Sequence, residues 1–244
     1  MTKLLAFDAD QDVSGVVPRA KAVGIAAAAR YLKNLSAAEV RALSAAGIKI
    51  ISIYESTARR ALDGAMAGRM DGEHAVTQAK GLGQPAGSAI YATVDFDAVP
   101  LQIPTVLSYL AYFRAALGNA YRLGVYGNGL VCKAALDGRL ADYTWLAGGL
   151  GMQGSRDFLA SGRATLVQDV GDAQHETLGI AIDSDTINAD DFGGWLIPVP
   201  ATVTIPPVRG LQEALVAEGL DPGPVDGVFG PRTQAALAEH YKRS

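Results

Sequence analysis

Ser36-Ala-Ala-Glu-Val-Arg-Ala-Leu-Ser-Ala-Ala-Gly-Ile-Lys-Ile-Ile-Ser-Ile-Tyr-Glu55 contains one whole helix-to-strand unit, and much of the chain repeats its logic. Ser36 and Glu39 have the spacing of a capping box, in which each side chain satisfies a free amide at a helix start. Gly47 stands where that helix must end, because glycine takes the left-handed conformation at no steric cost. Ile48–Tyr54 then reads as a strand, being short, apolar and rich in β-branched residues. It delivers an acid, Glu55, at its C-terminal end.

Working outward, further strands are expected at Lys3–Phe7, Ile25–Tyr31, Ser88–Val94, Leu123–Tyr126, Tyr143–Ala147, Thr165–Val170 and Gly179–Ile182. Helical stretches fall between most of them, at Val17–Ala22, Asp71–Leu82, Ile103–Leu117, Leu130–Leu136 and Ser155–Ala160. Pro104 sits in the first turn of the longest, where its missing N–H costs nothing. Strict alternation of strand and helix implies a parallel sheet. Eight units imply an α/β fold, a closed (β/α)8 TIM-type barrel, with a doubly wound open sheet as the alternative.

The barrel is expected over residues 1–196. Residues 197–207 carry a run of prolines that favours extended backbone and reads as a semi-rigid linker. Residues 208–244 read as a small α-helical module of two helices around a turn-rich loop, Asp221–Gly230. With 21 Lys and Arg against 25 Asp and Glu, the net charge is −4, which argues against a basic nucleic-acid binder. One cysteine excludes a disulfide scaffold, and Cys132 reads as a buried apolar residue. No apolar run is long enough for membrane insertion or for a secretory leader, so the expectation is a chain made in the cytoplasm without a signal peptide. A monomer is expected.

The acids are the main chemical signal. Asp8, Asp10, Glu55, Asp95, Asp97, Asp169, Asp183 and Asp185 all fall at expected C-terminal strand ends, the face that carries the active site in barrel enzymes. Residues two apart in an extended chain point to one side, so Asp8/Asp10, Asp95/Asp97 and Asp183/Asp185 would each aim two carboxylates at one mouth. Crowding raises the pKa of one member of such a pair, giving an acid that can protonate a leaving oxygen beside a carboxylate that stabilises a sugar cation. Tyr54, Tyr126 and Trp145 near the same ends offer faces for sugar rings, and Gln168 offers a polar contact. Two other readings stay open. Asp after a strand often caps a helix, and oxygen-only ligands also suit magnesium or calcium.

Two family resemblances add to this. Leu211, Gln212, Asp226, Gly227, Phe229, Gly230 and Thr233 follow the pattern of the peptidoglycan-binding type 1 domain, with Asp226-Gly227 as a tight turn and Phe229 expected between the helices. Arg30-Tyr-Leu, Leu43–Glu55, Ile90-Tyr-Ala-Thr-Val-Asp-Phe-Asp97, Gly124-Val-Tyr-Gly127 and Ile182-Asp-Ser-Asp185 resemble a glycoside-hydrolase-like barrel domain related to the family 25 lysozymes. That resemblance implies a cell-wall hydrolase of the endolysin type acting on peptidoglycan glycan strands, released to the wall through a partner's membrane hole, with no metal or cofactor. It further implies Asp97 as general acid and Asp95 as the carboxylate that stabilises the transition state or orients an N-acetyl group. Asp8 and Asp183 or Asp185 would then position water or substrate, with Glu55 a reserve acid. The strand-four motif is Asp-Phe-Asp where those lysozymes carry Asp-x-Glu, which motivates the alternative of a wall-binding protein with a degenerate barrel.

Overall fold

The computed structural model describes residues 3–169, 178–199 and 207–243. Val170 and the proline-rich stretch 200–206 lie outside the described residues. The chain divides into two compact units, Met1–Val199 and Pro200–Ser244. Among the described residues no helix is long and apolar enough to cross a membrane.

The first unit is a closed eight-stranded barrel in sequential order: β1 (Leu4–Ala9), β2 (Ile25–Tyr31), β3 (Lys49–Tyr54), β4 (Ala89–Thr93), β5 (Arg122–Gly127), β6 (Tyr143–Leu146), β7 (Leu166–Gln168) and β8 (Asp183–Ile187). β1 through β7 pair in parallel, and β8 runs antiparallel to both of its neighbours, β7 and β1. This corrects two expectations. The barrel is not wholly parallel, and the eighth strand is Asp183–Ile187 rather than Gly179–Ile182. Asp183 and Asp185 therefore open β8 instead of following it. Because β8 is reversed, its first residues still lie at the mouth, where the other strands end.

Alternation along each strand sorts side chains into an inner and an outer layer. The inner layer combines small residues, Ala6, Ala27 and Ala29, with the large rings of Tyr91, Tyr143 and Trp145. A Cβ on Gly124 would sit 2.4 Å from the Tyr91 ring, so glycine is what admits that tyrosine. Residues 192–195 close the floor: Ala89 N donates to Gly193 O, Ile50 and Trp195 exchange backbone bonds, and the Tyr91 hydroxyl donates to Phe192 O at 2.8 Å.

Helices α1 (Val17–Ala22), α2 (Ala37–Ala46), α3 (Gly64–Gly81), α4 (Ile103–Leu117), α5 (Gly129–Asp137) and α6 (Ser155–Ala160) follow the first six strands in turn. Ser36 caps α2 through Glu39 N, and Gly47 ends it at φ 76°. The Glu39 side chain, expected to return to the cap, instead pairs with buried Arg30 on β2 at 2.6 Å. α3 begins seven residues before its expected start. Its glycines, poor helix formers, are there for closeness: a Cβ on Gly68 would meet Tyr109 O of α4 at 2.1 Å. Gly68→Ala is expected to lower stability by about 1–2 kcal/mol, the overpacking cost outweighing the gain in helix propensity, which urea unfolding would measure.

The second unit pairs α7 (Val208–Ala217) with α8 (Pro231–Arg243) through Leu215 and Ala236, with Leu211 and Leu237 beside them. Its hub is Gln212, 1% exposed. The Gln212 amide donates to Asp226 Oδ1, Val228 O and Thr233 Oγ1, and its oxygen accepts from Gly227 N at 2.8 Å. Gly227, at φ 82°, makes the expected turn. Phe229 does not lie between the helices; it is 47% exposed, because Leu215 and Ala236 already fill that space. Gln212→Ala removes all of these hydrogen bonds at once. Each contributes about 0.5–1.5 kcal/mol, so amide-exchange protection across α7 should fall at least tenfold.

Candidate active site

The ends of all eight strands converge on one cavity of about 170 Å³, lined by Asp8, Tyr31, Ile53, Glu55, Thr93, Asp95, Tyr126, Trp145, Gln168 and Asp183. Each strand contributes an inward-facing residue at its mouth end. Asp8, Tyr31 and Asp183 also line an adjoining groove of about 440 Å³, together with Asp10 and Ala181.

Asp8 is 8% exposed and stands opposite Asp183 in the β1–β8 ladder. Asp185 lies two residues deeper, opposite Ala6, and is 1% exposed. Trp145 Nε1 donates to Asp185 Oδ1 at 2.9 Å, and Gln168 Nε2 donates to Asp8 Oδ2 at 3.0 Å. Gln168 is itself oriented, since its Oε1 accepts from the Tyr126 hydroxyl at 2.9 Å and from Gly148 N at 3.1 Å. Asp8 and Asp185 are within hydrogen-bonding reach of each other. Asp185 Oδ2 is buried without a donor among the described residues.

Burial first, and the neighbouring Asp183 second, push the Asp8 carboxyl up to about 7. Burial and the charge of Asp8 push Asp185 well above the usual carboxylate range. Two buried carboxylates in contact cannot both ionise cheaply. The site thus keeps a carboxylic acid near neutral pH, while Asp95 is exposed and Glu55 half-buried on the opposite wall. Burial also raises the phenols of Tyr31 and Tyr126, so both remain hydroxyl donors.

Asp8, Glu55, Asp95 and Asp183 line the cavity as expected from sequence, with Tyr126, Trp145 and Gln168, and Asp10 lies in the outer groove. Two other expectations fail for local reasons. β4 ends at Thr93, so the two-residue rule carries Asp95 inward but not Asp97. Asp97 Oδ1 accepts from Asn128 Nδ2 and from Gln153 N, each at 2.8 Å, fastening the loops after β4, β5 and β6 outside the cavity. Tyr54 faces outward, where its ring packs on Phe113 and its hydroxyl meets His74 Nδ1 at 3.3 Å. Asp169 does follow β7 directly, where it is exposed and accepts from the Thr186 hydroxyl. Sequence reasoning missed Tyr31 and Thr93. The signal was present, since Ala27, Ala29 and Tyr31 share one face of β2. Among the described residues no group of three or more His, Cys, Asp or Glu side chains forms a metal-binding cluster.

A family model for the Rv2525c-like, glycoside hydrolase-like domain matches residues 20–187. The chain belongs to that family. A second model, for a peptidoglycan binding domain, matches residues 204–239. No curated protein sequence matches the chain. Among solved structures, the barrel of this Rv2525c-like chain is similar to the Mycobacterium tuberculosis Tat-secreted protein Rv2525c in complex with L-tartrate. The TM-score is 0.66 at 25% identity, covering 79% of this chain and 98% of that one. The spore cortex lytic enzyme SleM of Clostridium perfringens gives 0.53 at 13% identity, covering 78% and 68%. The catalytic domain of endolysin ply40 from Listeria monocytogenes bacteriophage P40 gives 0.50 at 13% identity, covering 78% and 95%. At those identities the two lytic enzymes share the fold. The expectation of a cytoplasmic product made without an export signal is contradicted by this relative, which is Tat-secreted.

Proposed function

We propose that the barrel is a glycosidase of the bacterial cell wall, cleaving peptidoglycan glycan strands in the manner of an N-acetylmuramidase. The observation that carries the reading is the Asp8–Asp185 carboxyl pair, raised by burial and facing ionisable acids across a cavity walled by aromatic rings. Asp8, held protonated, gives its proton to the leaving glycosidic oxygen. Asp95 stabilises the positive charge that develops on the sugar ring or orients the substrate N-acetyl group, and Glu55 is the second carboxylate on that wall. Tyr126 and Trp145 provide the apolar wall. The peptidoglycan-binding domain supports the choice of polymer. The relative's Tat secretion supports export as the way this chain reaches the wall.

The test is to incubate the purified chain with peptidoglycan and assay new reducing ends and new free amino groups in parallel. Reducing ends without amino groups support the reading, and amino groups alone would replace it with amide hydrolysis. The rate should fall as pH rises through about 7, where Asp8 loses its proton. The engagement of Asp97 in loop bonds favours one second reading, a barrel that binds glycan without cutting it. Sedimentation with the wall, with no reducing ends at any pH, would support that one.

A further inference from the structure

A second, smaller cavity of about 120 Å³ adjoins the first across the end of β3 and shares Ile53 and Glu55 with it. Its remaining wall includes Lys33, Tyr54, Ser56 and His74. The main cavity and the outer groove are lined by carboxylates, hydroxyls, the Gln168 amide and apolar groups, without a lysine or arginine. Lys33 is thus the one ammonium lining any of the three spaces.

Lys33 is also held in place. Its Nζ donates to the backbone oxygen of Glu55 at 3.3 Å and lies 5.3 Å from the centre of the Tyr31 ring, whose other surroundings are the main cavity. Both partners are uncharged, and among the described residues Lys33 forms no ion pair with a carboxylate. An ammonium fixed by a carbonyl and an aromatic face has its remaining donors for a ligand. The His74 ring also lines the pocket, its Nδ1 3.3 Å from the Tyr54 hydroxyl.

We propose that this side pocket is a carboxylate subsite of the glycan cleft. It would take the free acid of a lactyl ether arm on an amino sugar whose ring occupies the main cavity. The inference rests on the glycan-cleaving reading and deepens it. At about 120 Å³ the side pocket is smaller than the main cavity of about 170 Å³ and the groove of about 440 Å³, which suits a short carboxylate arm better than a peptide stem. A cation within an otherwise acidic mouth also discriminates, because the carboxylate-lined walls offer a free acid no attraction of their own. The glycan preferred would be one from which the peptide has been removed, so an amide-hydrolysing reaction would supply it.

Binding, measured by calorimetry on the full chain, tests this apart from catalysis. The probes are the disaccharide N-acetylglucosaminyl-N-acetylmuramic acid, its methyl ester, and diacetylchitobiose. The wild type should bind the acid about tenfold more tightly than either neutral sugar, and Lys33→Met should reduce that preference toward one. Equal binding of acid and ester by the wild type would overturn the inference, as would a preference that survives Lys33→Met. Acid preference without release of reducing ends would sink the proposed catalysis and leave the subsite standing.

Discussion

Asp8→Asn is expected to cut the release of reducing ends by about 10²–10⁴-fold, the usual contribution of a positioned general acid, and to make the protein more stable at neutral pH. Both effects come from one cause. The folded chain holds the Asp8 proton up to about 7, while an unfolded carboxyl releases it near 3.8. Between those values ionisation occurs only in the unfolded state and draws the equilibrium toward it. Stability contributed by this group is therefore complete below about 4 and declines as pH rises to about 7. Asparagine keeps the shape and the capacity to bond Gln168 but has no proton to lose. Its unfolding free energy at pH 8 should exceed that of the wild type by on the order of 1–4 kcal/mol, with near equality at pH 4. Urea unfolding at the two pH values, beside the reducing-end assay, measures both. An Asp8→Asn protein that is active, or less stable at pH 8 than the wild type, would remove Asp8 from the role of acid. Asp97→Asn should act differently, loosening three loops and raising KM more than it lowers kcat.

Glu39→Ala should be among the most damaging substitutions away from the cavity. Arg30 and Glu39 are both fully buried, and their ion pair joins β2 to α2. Arg30 also donates to the backbone oxygen of Ala9, and Val13 N donates to Glu39 Oε1 at 3.2 Å. Removing the carboxylate leaves an uncompensated guanidinium inside the protein, a change that costs about 3–5 kcal/mol. For a domain of this size the melting temperature should drop by roughly 6–20 °C, followed by circular dichroism. The double variant Arg30→Met/Glu39→Leu removes both charges and should recover much of the loss, less the two main-chain bonds. If the double variant were as unstable as Glu39→Ala, the damage would lie in packing rather than in charge. The anchor on Ala9 matters for function as well, since Ala9 follows Asp8 and fixes the end of β1.

Most of the barrel was legible because seven strands announce themselves as short apolar runs with helices between them. β8 was not, and the reason is its composition. Asp-Ser-Asp-Thr-Ile puts carboxylates toward the cavity and hydroxyls outward, so it has the polarity of a loop, and the apolar Gly179–Ile182 beside it looked more like a strand. The site was legible wherever alternation was followed from a buried inward residue. Ile51 and Ile53 lead to Glu55 and turn Tyr54 outward, and Ala27 and Ala29 lead to Tyr31. The rule misled at Asp97 because backbone pairing stops four residues earlier, and no composition signal marks that stop. Resemblance to the lysozymes pointed at the same residue. The contact between Asp8 and Asp185 could not be read at all, because it depends on the direction of β8 and on the depth at which its residues pair with β1.

The reversed strand has one more consequence. In a wholly parallel barrel the chain between the seventh and eighth strands must travel back to the floor before it can rise again. Here that connection starts at the rim, after Gln168, and ends at the rim, at Asp183. Its length is thereby uncoupled from the height of the barrel. Residues can be added to or taken from it without stretching a crossover, while Ala181 and Ile182 at its end form one bank of the outer groove. Such a connection is the natural place for related chains to change the width of the groove while leaving the carboxyl pair untouched.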